Sequence, residues 1–167
     1  MKKLCFIALT TGFLLLCTNS TQAQTIEPTF DQVKLMKQFL GSWRIDLTEG
    51  SYMIWDITPF GAAMIGNTKF VTKDTVFDSN KYLWGYDKKN DKILVAEIFN
   101  DTPTMEIDVL WFTAENMLDG VLQQDISNPE NAVIKFKFEF KSPNLLVLKY
   151  LKNNIVTTEL QMNREIK

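Results

Sequence analysis

The chain has 167 residues, a net charge of −2, no histidine and two cysteines, Cys5 and Cys17. Without histidine it cannot use the common zinc and haem ligand sets, Ser–His or Cys–His catalysis, or a histidine proton switch. A mildly acidic chain without a basic patch argues against a nucleic-acid partner.

The sequence begins Met1-Lys2-Lys3, continues with an apolar run from Leu4 to Cys17, and reaches the polar stretch ending Thr21-Gln22-Ala23. This order of charge, hydrophobic run and small residue is that of a secretory signal peptide over residues 1–23. It predicts export, to the periplasm or outside the cell. The run is too short for a membrane span and no stop-transfer pattern follows, so the mature chain is expected to carry no transmembrane segment. Lipid attachment at Cys17 would want a small residue before it, where Leu14-Leu15-Leu16 stands instead. Cleavage after Ala23 takes both cysteines and two lysines but no acid. It leaves residues 24–167 as one domain, thiol-free and more acidic than the whole chain.

Pro28 to Leu40 reads as a helix, with Phe30, Val33, Met36 or Lys37, and Leu40 at helical spacing and Gly41 just beyond its end. It is expected to cover one end of a sheet. From Ser42 the period changes to two. Strands are predicted at 42–48, 52–58, 62–72, 75–77, 81–86, 92–99, 104–113, 117–126, 132–141, 145–152 and 155–166, about ten elements in all. Between them lie turn formers such as Asp87-Lys88-Lys89-Asn90-Asp91, Asn128-Pro129 and Asn153-Asn154. Ile134, Phe136, Phe138 and Phe140 alternate with Lys135, Lys137, Glu139 and Lys141, which sets a core face against a water face. Connections this short force antiparallel neighbours, and a meander of this length closes into a barrel or leaves exposed edges. The fold class is therefore all-β, a single antiparallel up-and-down β-barrel of about ten strands with one short N-terminal helix.

Gly41-Ser42-Trp43 opens the first strand, and Trp43 alternates with Ile45 and Leu47. On the last strand Arg164 is in phase with Leu160, Met162 and Ile166. An arginine on an apolar face is costly unless paired or stacked, and tryptophan is the best surface for a guanidinium. The first and last strands are thus expected to be neighbours, with Arg164 over Trp43 closing the barrel in a structural role. A short helix, Gly-x-Trp and a terminal Arg resemble the calycin superfamily, which takes in lipocalins, fatty-acid-binding proteins and bacterial lipocalin-like families. Phe60-Gly61-Ala62-Ala63-Met64-Ile65-Gly66 and Trp84-Gly85-Tyr86-Asp87 also look like segments of those bacterial families. The resemblance implies a carrier of a small hydrophobic molecule, with no cofactor.

A barrel of eight to ten strands has room for packed side chains or for one small ligand. The ligand-binding candidates are Trp55, Met64, Trp84, Phe99, Trp111, Phe136 and Phe138; the same side chains could instead fill the interior. Ile93–Phe99 and Met105–Phe112 carry apolar residues on both parities and are expected to be covered outside as well. Glu97 is in phase with Ile93, Val95 and Phe99, whereas Asp108 opposes Ile107 and Val109. Facing inward, Glu97 would have to be hydrogen-bonded, paired or protonated, and would join the ligand-binding set; the simpler reading is an outward carboxylate at a rim. No metal string, phosphate loop or nucleophile elbow is present. The competing readings are a filled barrel that binds another envelope protein, and carboxylate acid–base catalysis on the same scaffold.

Overall fold

The computed structural model describes residues 30–165. The expected signal peptide with Cys5 and Cys17, and the start of the expected helix, lie outside the described residues. Helix α1 (Gln32–Met36) is capped by the Asp31 carboxylate, which accepts from Lys34 N at 2.9 Å. It is shorter than its apolar spacing suggested, because the chain tightens into a 3₁₀ turn at Lys37–Phe39 and leaves it in extended geometry at Leu40. That tightening turns Phe39 fully into the core and leaves the carbonyls of Gln38, Phe39 and Leu40 free to accept. The buried Gln32 amide reads the backbone of the sixth strand in both directions, donating to Phe112 O and accepting from Phe112 N. Gln38 Nε2 donates to Glu115 O at 2.8 Å, so the helical segment is pinned over one end of the sheet.

Ten strands follow: β1 Gly41–Thr48, β2 Ser51–Phe60, β3 Ala63–Val71, β4 Val76–Asp87, β5 Lys92–Phe99, β6 Met105–Ala114, β7 Met117–Leu122, β8 Ile134–Ser142, β9 Leu145–Lys152 and β10 Ile155–Arg164. Each pairs antiparallel with its sequence neighbours, and β1 pairs with β10 to give a closed barrel. The segments expected at 75–77 and 81–86 are one strand, β4. A register shift against Thr68 and Lys69 accommodates Ser79 and keeps pairing continuous. The strand expected to reach residue 126 stops at Leu122, where Gln123–Asp125 and Pro129–Asn131 form 3₁₀ turns. This stretch packs beside β6, and Val109 is buried on the outer face there. The outer cover expected along β5 and β6 stops short of their far ends, where Ile98 and Met105 are exposed.

The closing seam is narrow. Among the described residues, only Trp43↔Arg164 and Arg44↔Asn163 pair between β1 and β10, and Glu165 N adds a bond to Ser42 O. Side chains supply the rest. The Arg164 guanidinium carbon stands 4.1 Å from the centroid of the Trp43 ring. Its nitrogens donate to Leu40 O, to Gln38 O at 2.9 Å and to Pro143 O at 2.8 Å. Trp43 Nε1 donates to Phe39 O at 2.8 Å. The same two residues therefore close the sheet and hold down the 3₁₀ turn.

Gly41 explains its own place in Gly-x-Trp. Its φ is +116°, and a Cβ there would stand 2.6 Å from Arg164 Nη1, which is itself held by backbone carbonyls. Gly41→Ala is accordingly expected to cost about 2–3 kcal/mol. Urea unfolding measures the loss, and a variant as stable as wild type would contradict this account of the seam.

The interior is unevenly filled. Beneath the helix, Phe39 meets Trp84 and Phe140 at ring-centroid distances of 4.9 Å and Phe138 at 5.5 Å. Met36, Trp43, Leu118, Leu146 and Met162 are all fully buried around this cluster. Packing there leaves no room for a ligand. The opposite half of the barrel is hollow.

Candidate functional site

A cavity of about 370 Å³ occupies the hollow half. Its floor is the aromatic cluster below, represented by Trp84 and Phe138. Its mouth is marked by exposed Glu106 with half-buried Phe99 and Leu160. One wall is aromatic. Trp55 lies edge-on to Tyr82 at 5.5 Å and stacks at 6.5 Å with Phe138, while Phe136 meets Tyr150 edge-on at 5.5 Å. These rings sit on the inner parity of β2, β4, β8 and β9, where strand alternation points them at the barrel axis.

The adjoining wall is polar, and it is built on three adjacent strands. Tyr82 on β4 pairs directly with Glu97 on β5, which pairs with Glu106 on β6. One rung deeper, Trp84, Val95 and Asp108 form the corresponding row. Tyr82 Oη is the centre of a network: it accepts from Trp55 Nε1 and from Asn80 Nδ2 at 2.6 Å, and bonds with Thr68 Oγ1. Two donors occupy both of its lone pairs, so within this set its single proton goes to Thr68. Asn80 spends its second N–H on Glu97 Oε1, and its carbonyl accepts from Ser79 Oγ at 2.6 Å. Thr68 and Asn80 are both buried. Such a network fixes Tyr82 and Glu97 in place.

The acids are held away from their ordinary ionisation. Burial raises the Glu97 carboxyl, with Glu106 adding to the shift, while the hydrogen bond from Asn80 opposes it. Burial, then the charges of Glu97 and Glu106, push Asp108 up to about 7. Tyr150 is pushed up to about 12 by burial, with Glu97 and Asp108 contributing. Tyr82 is raised by burial and by Glu97. Among the described residues, the Asp108 carboxyl and the Tyr150 hydroxyl have no hydrogen-bond partner, and no lysine or arginine lines the cavity. Among those residues, no group of acidic, cysteine or histidine side chains is disposed to hold a metal, and no helix is long and apolar enough to cross a membrane.

Of the side chains singled out in the sequence, Trp55, Trp84, Glu97, Phe99, Phe136 and Phe138 line the cavity. Gly41, Trp43 and Arg164 lie at the other end, in the seam. Two expectations need correction, and so does the simpler reading of Glu97. Trp111 is on the outer face, paired with Asp119 and capped by Lys92 Nζ at 5.1 Å from its ring centroid. In the run Val109-Leu110-Trp111-Phe112 both parities are apolar, so periodicity could not assign a face; Leu110 and Phe112 take the core. Met64 does face inward, but it is packed in the core and forms no part of the wall. Glu97 points into the barrel rather than out at a rim, held by Asn80. Asp108, Tyr82, Asn80 and Thr68 went unrecognised although a signal existed. Asp108 shares parity with Leu110 and Phe112, Tyr82 and Asn80 with Trp84, and Thr68 with Met64.

On the outside, Ile65, Leu83, Ile98 and Met105 form an exposed apolar strip across β3 to β6, with Phe60 also exposed at the end of β2. No protein-family model matches the chain and no curated protein is similar to it in sequence, so geometry alone carries the functional reading.

Proposed function

We propose that the chain is an exported, lipocalin-like carrier that holds one small, largely apolar molecule inside its barrel. The observation that carries this reading is the cavity of about 370 Å³, bounded by Trp55, Phe136 and Phe138 and reached through the end opposite the helix. Its size lies at the low end of the range for small-molecule sites. The polar wall would orient the ligand rather than supply the bulk of its burial.

Native mass spectrometry of the purified chain, before and after organic extraction, tests the reading directly. A neutral fluorophore, N-phenyl-1-naphthylamine, is expected to bind at micromolar affinity and to quench Trp55 and Trp84. Leu160→Trp at the mouth is expected to weaken that binding about tenfold or more while the fold survives. No bound molecule, no fluorophore uptake and no effect of the substitution would end the carrier reading. The exposed strip of Ile65, Leu83, Ile98 and Met105 favours a second reading, in which the outer wall docks on another envelope protein. Light scattering that shows a monomer, with no partner recovered by cross-linking at this strip, would remove it.

A further inference from the structure

The geometry points to a more specific ligand class within the carrier reading, on which this inference rests: an amphipathic organic amine bound as its ammonium. The ammonium would sit among Asp108, Glu97 and Glu106, and its apolar body would lie against Trp55, Phe136 and Phe138. Three carboxyl groups come from adjacent strands onto one wall, and no cation among the described residues faces them inside the cavity. Glu97 has Asn80 for company, but among the described residues the Asp108 oxygens have no partner. An acid left this way in an apolar enclosure gains most from a cation that arrives with its own hydrogen-bond donors. The Tyr150 and Trp55 rings beside it also suit a cation, because their faces carry negative potential.

A second observation is independent of the acids. Trp84 lines the same cavity, is 2% exposed, and its indole N–H is a buried donor without an acceptor among the described residues. It stands in the same cross-strand row as Asp108, with Val95 between them. A buried donor left unmade is costly, and an oxygen on the ligand body would relieve it. The class is thus narrowed to an amine whose apolar body carries an ether, hydroxyl or carbonyl oxygen. A fatty acid or other anion is disfavoured by the same wall.

Proton linkage follows from the placement. Asp108 faces Glu97 on β5, Glu106 on its own strand and Tyr150 on β9, all acidic groups or phenols. With the Asp108 carboxyl pushed up to about 7, an ammonium must displace a proton near neutrality, so amine affinity rises with pH across that range.

The test uses three probes with one ring system: 2-(6-methoxynaphthyl)ethylamine, the matching alcohol and the matching carboxylate, titrated calorimetrically into the mature protein. Near about pH 8 the amine is expected to bind about tenfold or more tighter than the alcohol, and the carboxylate most weakly. Near about pH 5.5 the amine's advantage should shrink to about threefold or less, and titrations in buffers of different ionisation enthalpy should show proton release for the amine alone. Asp108→Asn with Glu97→Gln should bring amine and alcohol within about twofold. Alcohol or carboxylate binding as tight as the amine, or amine binding without proton release, overturns the amine assignment and leaves the carrier reading standing. Failure of all three probes to bind overturns both. The pH and buffer measurements need no variant, so a misfolded double substitution does not shelter the proposal.

Discussion

Trp43→Ala is expected to lower the unfolding free energy by about 3–5 kcal/mol, the range for truncating a large, fully buried aromatic. Trp43 has no exposed surface, closes the rung to Arg164 and ties Phe39 O to the sheet through its indole N–H. Arg164→Ala should cost about 2–4 kcal/mol, because it abandons the stack and leaves the Gln38, Leu40 and Pro143 carbonyls without their charged donor. Arg164→Lys should recover less than half of that loss, since an ammonium cannot stack flat and fork to several carbonyls at once. The double alanine variant should lose less than the sum of the two, because one contact is removed by either change. Guanidinium melts of wild type, both singles and the double form the cycle. Strict additivity would show that the two residues stabilise the barrel separately and that the seam has been misread.

The second large effect is a pH dependence that one neutral substitution should flatten. Asp108 is raised from 3.8 to about 7 in the folded chain, with burial as the chief cause. The folded state then holds a proton that the unfolded state releases between about pH 4 and about pH 7. Stability from this group is fully present below the lower value and is lost as pH rises through the upper one. The full shift would amount to at most about 4 kcal/mol. Water reaching the carboxyl from the cavity reduces the expected loss to about 2 kcal/mol. Asp108→Asn should therefore match wild type near pH 4 and exceed it by about 2 kcal/mol above pH 8. Glu97, also raised, leaves a smaller slope of the same sign in the variant. Melts across this pH range decide it, and a constant gap between the two proteins would mean that Asp108 titrates normally.

The parts of this fold that could be read from the sequence are those where one physical signal spoke without competition. Ile134 to Lys141 alternates strictly, and its faces are those of β8 in the barrel. Turn formers marked the hairpin tips, and Asn153 and Asn154 do take the positive φ that a tight two-residue turn requires. Element ends were less legible: nothing local separates a strand that stops at Leu122 from one that continues to residue 126. The site was legible where bulk coincided with parity, as for Trp55, Trp84, Phe136 and Phe138. Trp111 failed because size was allowed to stand for facing. Asp108 is hard to place because it opposes the apolar Ile107 and Val109 while sharing parity with Leu110 and Phe112, and a carboxyl on an inner face looks like a violation of the hydrophobic pattern. Such violations are where chemistry concentrates, because local rules are broken where something else is selected.

The narrow seam also dictates an order of events in folding. Every strand pairing except β1 with β10 joins sequence neighbours, so nine hairpins can zip from local contacts alone. The last rung must gather Leu40 and Arg164 across a separation of 124 residues. Loop-closure entropy grows slowly with such length, yet two backbone rungs offer little against it until the guanidinium reaches its carbonyls. The cylinder therefore forms as a curling ribbon that latches last, and it unlatches first. Before the latch catches, the outer edges of β1 and β10 are unpaired strands, so the span between curling and latching is when this chain is most exposed to pairing with another copy of itself.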